Sequence, residues 1–224
     1  MPRRKDQAAR REHLIQATLH TIATRGLAGV TMRSVAEQAG VSPRLVAYYY
    51  PSLEALVEAA HQAATERYYW SRQQAMQDDA EPMVKLARLM HSGLPRGEDR
   101  LLSQVLDEIS VNAVRSPMHA TLMTLLFDRE VSLYTAVLEA GRATGAFTLA
   151  EPLDVVARNF VALEDALGMH LLAHNTSLTL GRAEEQLASF ARAVTGGEVR
   201  PERHHSSPGT PYDGAADGSR ARVT

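Results

Sequence analysis

Apolar residues recur at three- and four-residue intervals along almost all of residues 6–195, and no stretch alternates with period two. That periodicity predicts helices and no strands. After a basic arm over 1–5 the pattern turns helical from Asp6, and the first stripe is Leu14, Ile15, Ala17, Thr18, Leu19, Ile22 and Ala23, ending at Gly26. Met32, Val35, Ala36 and Ala39 form the next, with Thr31 placed to cap it and Gly40 to stop it. Ser42 and Pro43 open a further short helix to about Tyr49, since Ser caps well and Pro costs nothing at the first helical position. Pro51 disfavours helical geometry at Tyr50, and Ser52 begins a long helix to about Met76. Helices are predicted further on over 82–91, up to Ser116, over 117–145, over 152–174 and over 180–195, separated by stretches rich in Gly, Pro, Asp and Ser. Two short helices joined by a tight turn containing Gly describe a helix-turn-helix, whose second helix enters the DNA major groove.

Charge changes this picture more than composition does. The net charge is −2, yet residues 1–50 carry net +5 and the remainder net −7. A basic head on an acidic body is the asymmetry of a phosphate-binding module attached to something else. The absence of cysteine excludes disulfides and thiolate metal sites. No apolar run approaches a membrane span and the start lacks a signal-peptide core, so a cytoplasmic protein with no membrane partner is expected. Residues 197–224 are rich in Gly, Pro, Ser and charge and are expected to be a disordered tail. His204 and His205 lie in that tail, and neither a metal nor a cofactor is expected.

The run TMRSVAEQAGVSPRLVAYYYPSLEAL over residues 31–56 resembles the DNA-binding head of the TetR family of bacterial transcriptional regulators. Thr31, Arg33, Val35, Ala36, Ala39, Gly40, Val41, Ser42, Val46, Tyr49, Tyr50, Pro51, Ser52, Glu54 and Leu56 fit the family wording or its common variants. Arg44 stands where the family often has Gly, Ala47 where it usually has Tyr and Leu53 where it usually has Lys. That Tyr and that Lys commonly touch phosphates, so those two roles are not carried over, and Tyr48 and Tyr49 are expected to take part of the backbone contact. The resulting DNA-contact set is Arg3, Arg4, Arg33, Ser42, Pro43, Arg44, Tyr48 and Tyr49. Arg44 is the choice for base readout, because Arg pairs bidentately with guanine, and Arg33 for phosphate.

The resemblance also implies an all-α body that dimerises through its last two helices and encloses a small-molecule pocket. Apolar residues on more than one side of the helix over 152–174 fit a second packing partner. A two-fold dimer would present two recognition helices to a palindromic double-stranded operator, with centres about 34–36 Å apart. Candidate effector contacts are Tyr68, Trp70, Met90, Glu108, Asn112, Met123, Phe127, Tyr134 and Glu164, with Glu130 and Asp165 as further polar fixtures. Acidic groups on apolar faces are the telling ones, because a buried carboxylate without a partner is costly. Glu108 and Glu164 facing inward would favour a cationic or hydrogen-bonding ligand; salt bridges to Arg115 or Arg158 are the plainer alternative. The expected organisation is a helix-turn-helix domain over 1–51, a ligand-binding and dimerisation domain over 52–196, and the tail. No P-loop, nucleophile elbow or HExxH motif is present, so no enzyme is expected. The competing reading is a helical small-molecule-binding protein or enzyme with a degenerate head, motivated by Ala47 and Leu53.

Overall fold

A computed structural model describes residues 2–97 and 99–197, with side chains from Asp6 onward except that of Asp99. Among these residues the protein is all-α. The helices are α1 (Pro2–Arg25), α2 (Met32–Ala39), α3 (Pro43–Tyr49), α4 (Leu53–Gln74), α5 (Pro82–Ser92), α6 (Asp99–Ala113), α7 (Pro117–Ala143), α8 (Leu153–Leu172) and α9 (Leu180–Thr195). A single 3-10 turn, Leu27–Gly29, joins α1 to α2. The tail expected over 197–224, with His204 and His205, lies outside the described residues from 198 on.

Two boundaries differ from the sequence expectation by more than two residues. The helix start expected at Asp6 lies at Pro2 instead, because Pro fits the first turn and Arg, Lys, Gln and Ala continue a helix without interruption. At the other end of the molecule's middle, α6 stops at Ala113 rather than Ser116. The N–H groups of Arg115 and Ser116 fold back onto the carbonyls of Asn112 and Ala113, which frees Ser116 to cap α7 by accepting from His119 N.

Two apolar cores organise the packing. The first gathers Leu14, Leu19 and Ile22 of α1, Val35 and Ala36 of α2, Val46 of α3 and Leu56 and Ala60 of α4. It is completed by Val105, Leu106 and Ile109 of α6 and by Leu126 of α7, so α6 packs directly on the N-terminal helices. The second gathers Leu86 and Leu89 of α5, Tyr134 and Leu138 of α7, Phe160 and Val161 of α8 and Leu187 and Ala191 of α9. Each large side chain fully buried in this way contributes about 1.5–3 kcal/mol. α4 spans about 33 Å at 1.5 Å per residue and reaches from one core to the other: Tyr68 belongs to the first and Tyr69 packs on both.

Close approaches are made possible by glycine. The ring of Phe147 lies where a Cβ on Gly141 would sit, and Phe147 N–H donates to Gly141 O at 3.0 Å, which folds the chain after α7 tightly back onto it. The apolar surplus of α8 is largely absorbed by the second core through Val156, Phe160, Val161 and Leu167. Val155 and Met169 remain 41% and 48% exposed.

Candidate nucleic-acid interface and ligand cavity

The helix-turn-helix is fixed by its caps. Thr31 Oγ1 accepts from Ser34 N at 2.9 Å while Ser34 Oγ accepts from Thr31 N at 2.8 Å, a reciprocal box at the start of α2. Gly40 ends α2 at φ 64°, a left-handed conformation that favours glycine. Ser42 Oγ accepts from Leu45 N at 3.3 Å and Pro43 takes the first position of α3. Val46 and Tyr50 anchor α3 in the core, and His13 on α1 bonds to Ala39 O at 2.9 Å. With that side pinned, α3 turns Ser42, Pro43, Arg44, Ala47 and Tyr48 outward, Tyr48 at 73% exposure.

Tyr49 is half-buried, its ring edge-on to Tyr48 at 5.1 Å. Arg33 is exposed and paired with Glu37 at 3.1 Å, a surface pair that contributes little and opens readily. Arg3 and Arg4 fall within α1, but their side chains lie outside the described residues. Arg10 and Arg11 are exposed on the same helix, and Arg11 also lies 5.5 Å over the Tyr50 ring.

A cavity of about 570 Å³ opens between α4, α6, α7 and α8. Its apolar wall includes Leu106, Met123, Leu126, Phe127, Met169 and Leu172; its polar wall holds Asp107, Glu130, Glu164 and Asp165. Behind the carboxylates stands Arg72, fully buried, donating to Glu130 Oε1 at 2.8 Å and Glu164 Oε2 at 2.7 Å. Tyr134 donates to the other oxygen of Glu164, and Tyr68 donates to Gly93 O at 3.2 Å while accepting from Arg72. Gly93 is glycine for room: a Cβ there would collide with the Glu164 carboxylate.

One guanidinium serves two carboxylates, so neutralisation is incomplete. Burial pushes the Glu130 carboxyl up to about 8 and that of Glu164 up to about 7, with Arg72 opposing in both cases. Asp107 and Asp165 are raised too, first by burial. Both tyrosine hydroxyls are pushed above their usual range by burial and remain neutral donors.

Of the effector contacts expected from sequence, Tyr68, Met123, Phe127 and Glu164 line this cavity, as do Glu130 and Asp165. Met90 and Tyr134 lie behind it, in the second core. Three are placed elsewhere. Trp70 is 53% exposed, because α4 turns Tyr68 and Arg72 inward and position 70 falls on the opposite face. Glu108 faces the N-terminal helices, where its Oε2 accepts from Leu27 N at 3.1 Å, and Asn112 donates to Glu108 O one turn along α6. Neither plainer partner of Glu164 is used: the ion pair is with Arg72, which sequence reasoning missed. Its signal was present, since Arg72 continues the inward spacing of Ala64 and Tyr68 along α4. Among the described residues no group of three or more His, Asp or Glu converges as a metal site, and no helix is long and apolar enough to cross a membrane.

The structure thus joins a capped helix-turn-helix, its second helix facing outward, to a helical bundle with an internal cavity. Residues 14–60 match the family described as bacterial regulatory proteins of the tetR family. The HTH-type transcriptional regulator BetI of Paraburkholderia phytofirmans is 46% identical over 59 residues, which are 26% of this chain and 30% of that relative. The match therefore spans less than a third of the relative's length. Beyond it the likeness is one of fold. A structure described as a transcriptional regulator from Saccharomonospora viridis in complex with choline superposes with a TM-score of 0.77 at 21% identity, covering 83% of this chain and 96% of that one. A TetR transcription regulator from Haloarcula marismortui gives 0.75 at 23% identity, covering 85% and 99%.

Proposed function

We propose that the protein is a ligand-responsive transcriptional regulator, acting as a repressor: a homodimer binds a palindromic operator and leaves it when a small molecule fills the cavity. The observation that carries this reading is the outward face of α3, where Ser42, Pro43, Arg44 and Tyr48 stand free around a helix whose other side is locked into the head core. A helix held this rigidly can be laid into a major groove as a unit. Division into a head over 1–51 and a body over 52–196 belongs to the same proposal, with α4 and α6 as the elements that join them.

Dimerisation through α8 and α9 is supported by the exposed Val155 and Ala162 of α8, whose face continues at helical spacing through Ala166 and Met169 at the mouth of the cavity. The two alanines there allow a second α8 to approach closely. A ligand that binds better to a wider separation of the two heads would shift the population away from the DNA-competent arrangement.

The test is retardation of DNA fragments from upstream of the protein's own and neighbouring genes, at several salt concentrations. Arg44→Ala is expected to cost about 1–3 kcal/mol at the preferred site and to relax base preference. Arg33→Ala is expected to weaken all sequences alike and reduce the salt slope by about 1. A folded dimer that retards no fragment specifically would sink the regulator reading.

A further inference from the structure

Among the described residues the cavity wall carries four carboxylates, Asp107, Glu130, Glu164 and Asp165, and no basic side chain. Arg72 reaches two of them from behind and can neutralise only one. Glu130 is 5% exposed and lines the cavity; one of its oxygens is held by Arg72, and no hydrogen bond is made to the other. That oxygen is open to the cavity, so it offers a charge-assisted acceptor to a donor that enters. The aromatic groups are disposed differently. Only Tyr68 and Phe127 line the cavity, and each already has a guanidinium over its ring, Arg72 at 5.5 Å and Arg158 at 5.7 Å. The wall is therefore built of acceptors rather than as an aromatic cage, the arrangement that holds quaternary ammonium groups.

We infer that the cavity takes an amphipathic organic cation whose N–H-bearing head, a primary or secondary ammonium, binds at Glu130 and Glu164 in exchange for a proton released to solvent. Its apolar remainder lies along Met123, Phe127 and Leu172. This rests on the reading of the cavity as the effector site, and it adds the ligand's charge, its donor character and its linkage to pH. Among the described residues the titratable groups that face the pair are Tyr68 and Arg72 from α4, Tyr134 from α7 and Asp165 from α8, with Asp107 of α6 on the same cavity wall, while the α5 end contributes the carbonyls of Leu89 and Gly93. Only Arg72 among them is cationic, so below neutrality the excess charge is removed by protonation. Burial that raises both glutamates fits this exchange.

Isothermal titration of the full chain, without DNA, with four probes sharing one body tests the inference: 3-phenylpropylamine, its N,N,N-trimethyl derivative, 3-phenylpropan-1-ol and 3-phenylpropanoate. The primary ammonium is expected to bind about tenfold or more tighter than the alcohol and the trimethyl compound, and the carboxylate weakest. Its affinity is expected to rise from pH 6 to 8.5. Titration in buffers of different ionisation enthalpy should show release of up to about one proton per ligand. Glu130→Gln should lose both the preference and the pH slope, and Asp165→Asn, on the more open wall, should reduce the preference if the first variant folds poorly. Equal or tighter binding of the alcohol, the carboxylate or the quaternary compound, absence of proton release, or no binding of any probe overturns the inference. DNA retardation is measured separately, so specific DNA binding with any of those results leaves the regulator reading standing.

Discussion

Arg72 sits fully buried between Glu130 at 2.8 Å and Glu164 at 2.7 Å, and removing it would leave two carboxylates facing each other away from solvent. Breaking a buried ion pair by deleting one partner typically costs about 3–5 kcal/mol, because the carboxyls left behind must stay charged without a partner or take up a proton. Arg72→Met is expected to lower the free energy of unfolding by about that amount in urea titrations at pH 7. Adding Glu130→Gln and Glu164→Gln to the same chain should recover most of the loss, since neutral amides need no counter-charge. A loss below about 1 kcal/mol in the single variant would mean that water reaches the network and screens it. Glu164 was legible in the sequence as a carboxylate at an inward position, with Phe160 and Leu167 beside it on α8. Of its partner only the inward spacing of Arg72 on α4 was legible; the pairing was not, because it exists only once α7 and α8 deliver their acids from 58 and 92 residues away.

At the scale of elements, the caps and stops of the helix-turn-helix could be read residue by residue, because Thr31, Gly40, Ser42 and Ser52 act within one turn of themselves. The role of α6 could not. The long α4 stood out as the connector from its length alone, yet α6 also joins the cavity to the head. Asp107 and Leu106 line the cavity, and Glu108, the next residue, accepts from Leu27 N at 3.1 Å in the turn before α2. A ligand that displaces α6 by a fraction of a turn pulls directly on the chain leading into the helix-turn-helix. Glu108→Ala is expected to cost about 1 kcal/mol of stability through the lost hydrogen bond. Ligand affinity measured without DNA should stay within about twofold, while the ligand-induced loss of DNA affinity shrinks, so the two titrations separate coupling from binding. Unchanged coupling would assign transmission to α4 alone.

At the scale of the whole molecule, the buried titratable groups act on stability from opposite sides. The carboxyls of Glu130 and Glu164 stand at about 8 and about 7 in the folded chain against a usual 4.5. The folded state thus holds protons that the unfolded state has lost, and stability falls as pH rises from near 4.5 through about 8. His61, fully buried with Nδ1 3.0 Å from Nδ1 of His119, is lowered from 6.5 to about 4 by burial and then by that neighbour. The unfolded state takes up the proton first there, so this contribution is complete above about 6.5 and is lost as pH falls through about 4. Between about 4.5 and 6.5 the two effects oppose each other, and above 6.5 only the carboxylates remain. The melting temperature of the ligand-free protein is therefore expected to be highest on the acid side of neutrality and to decline from pH 6.5 to 8.5. Glu130→Gln should flatten that decline and leave the acid limb in place, whereas replacing His61 by Asn should soften the acid limb alone. A melting temperature that instead rises from pH 6.5 to 8.5 in the native chain would mean that both glutamates are already ionised at neutrality and that Arg72 outweighs their burial. In that case the alkaline limb and the exchange of a proton for a cationic ligand would fail together, because both depend on the same excess of buried acid over base.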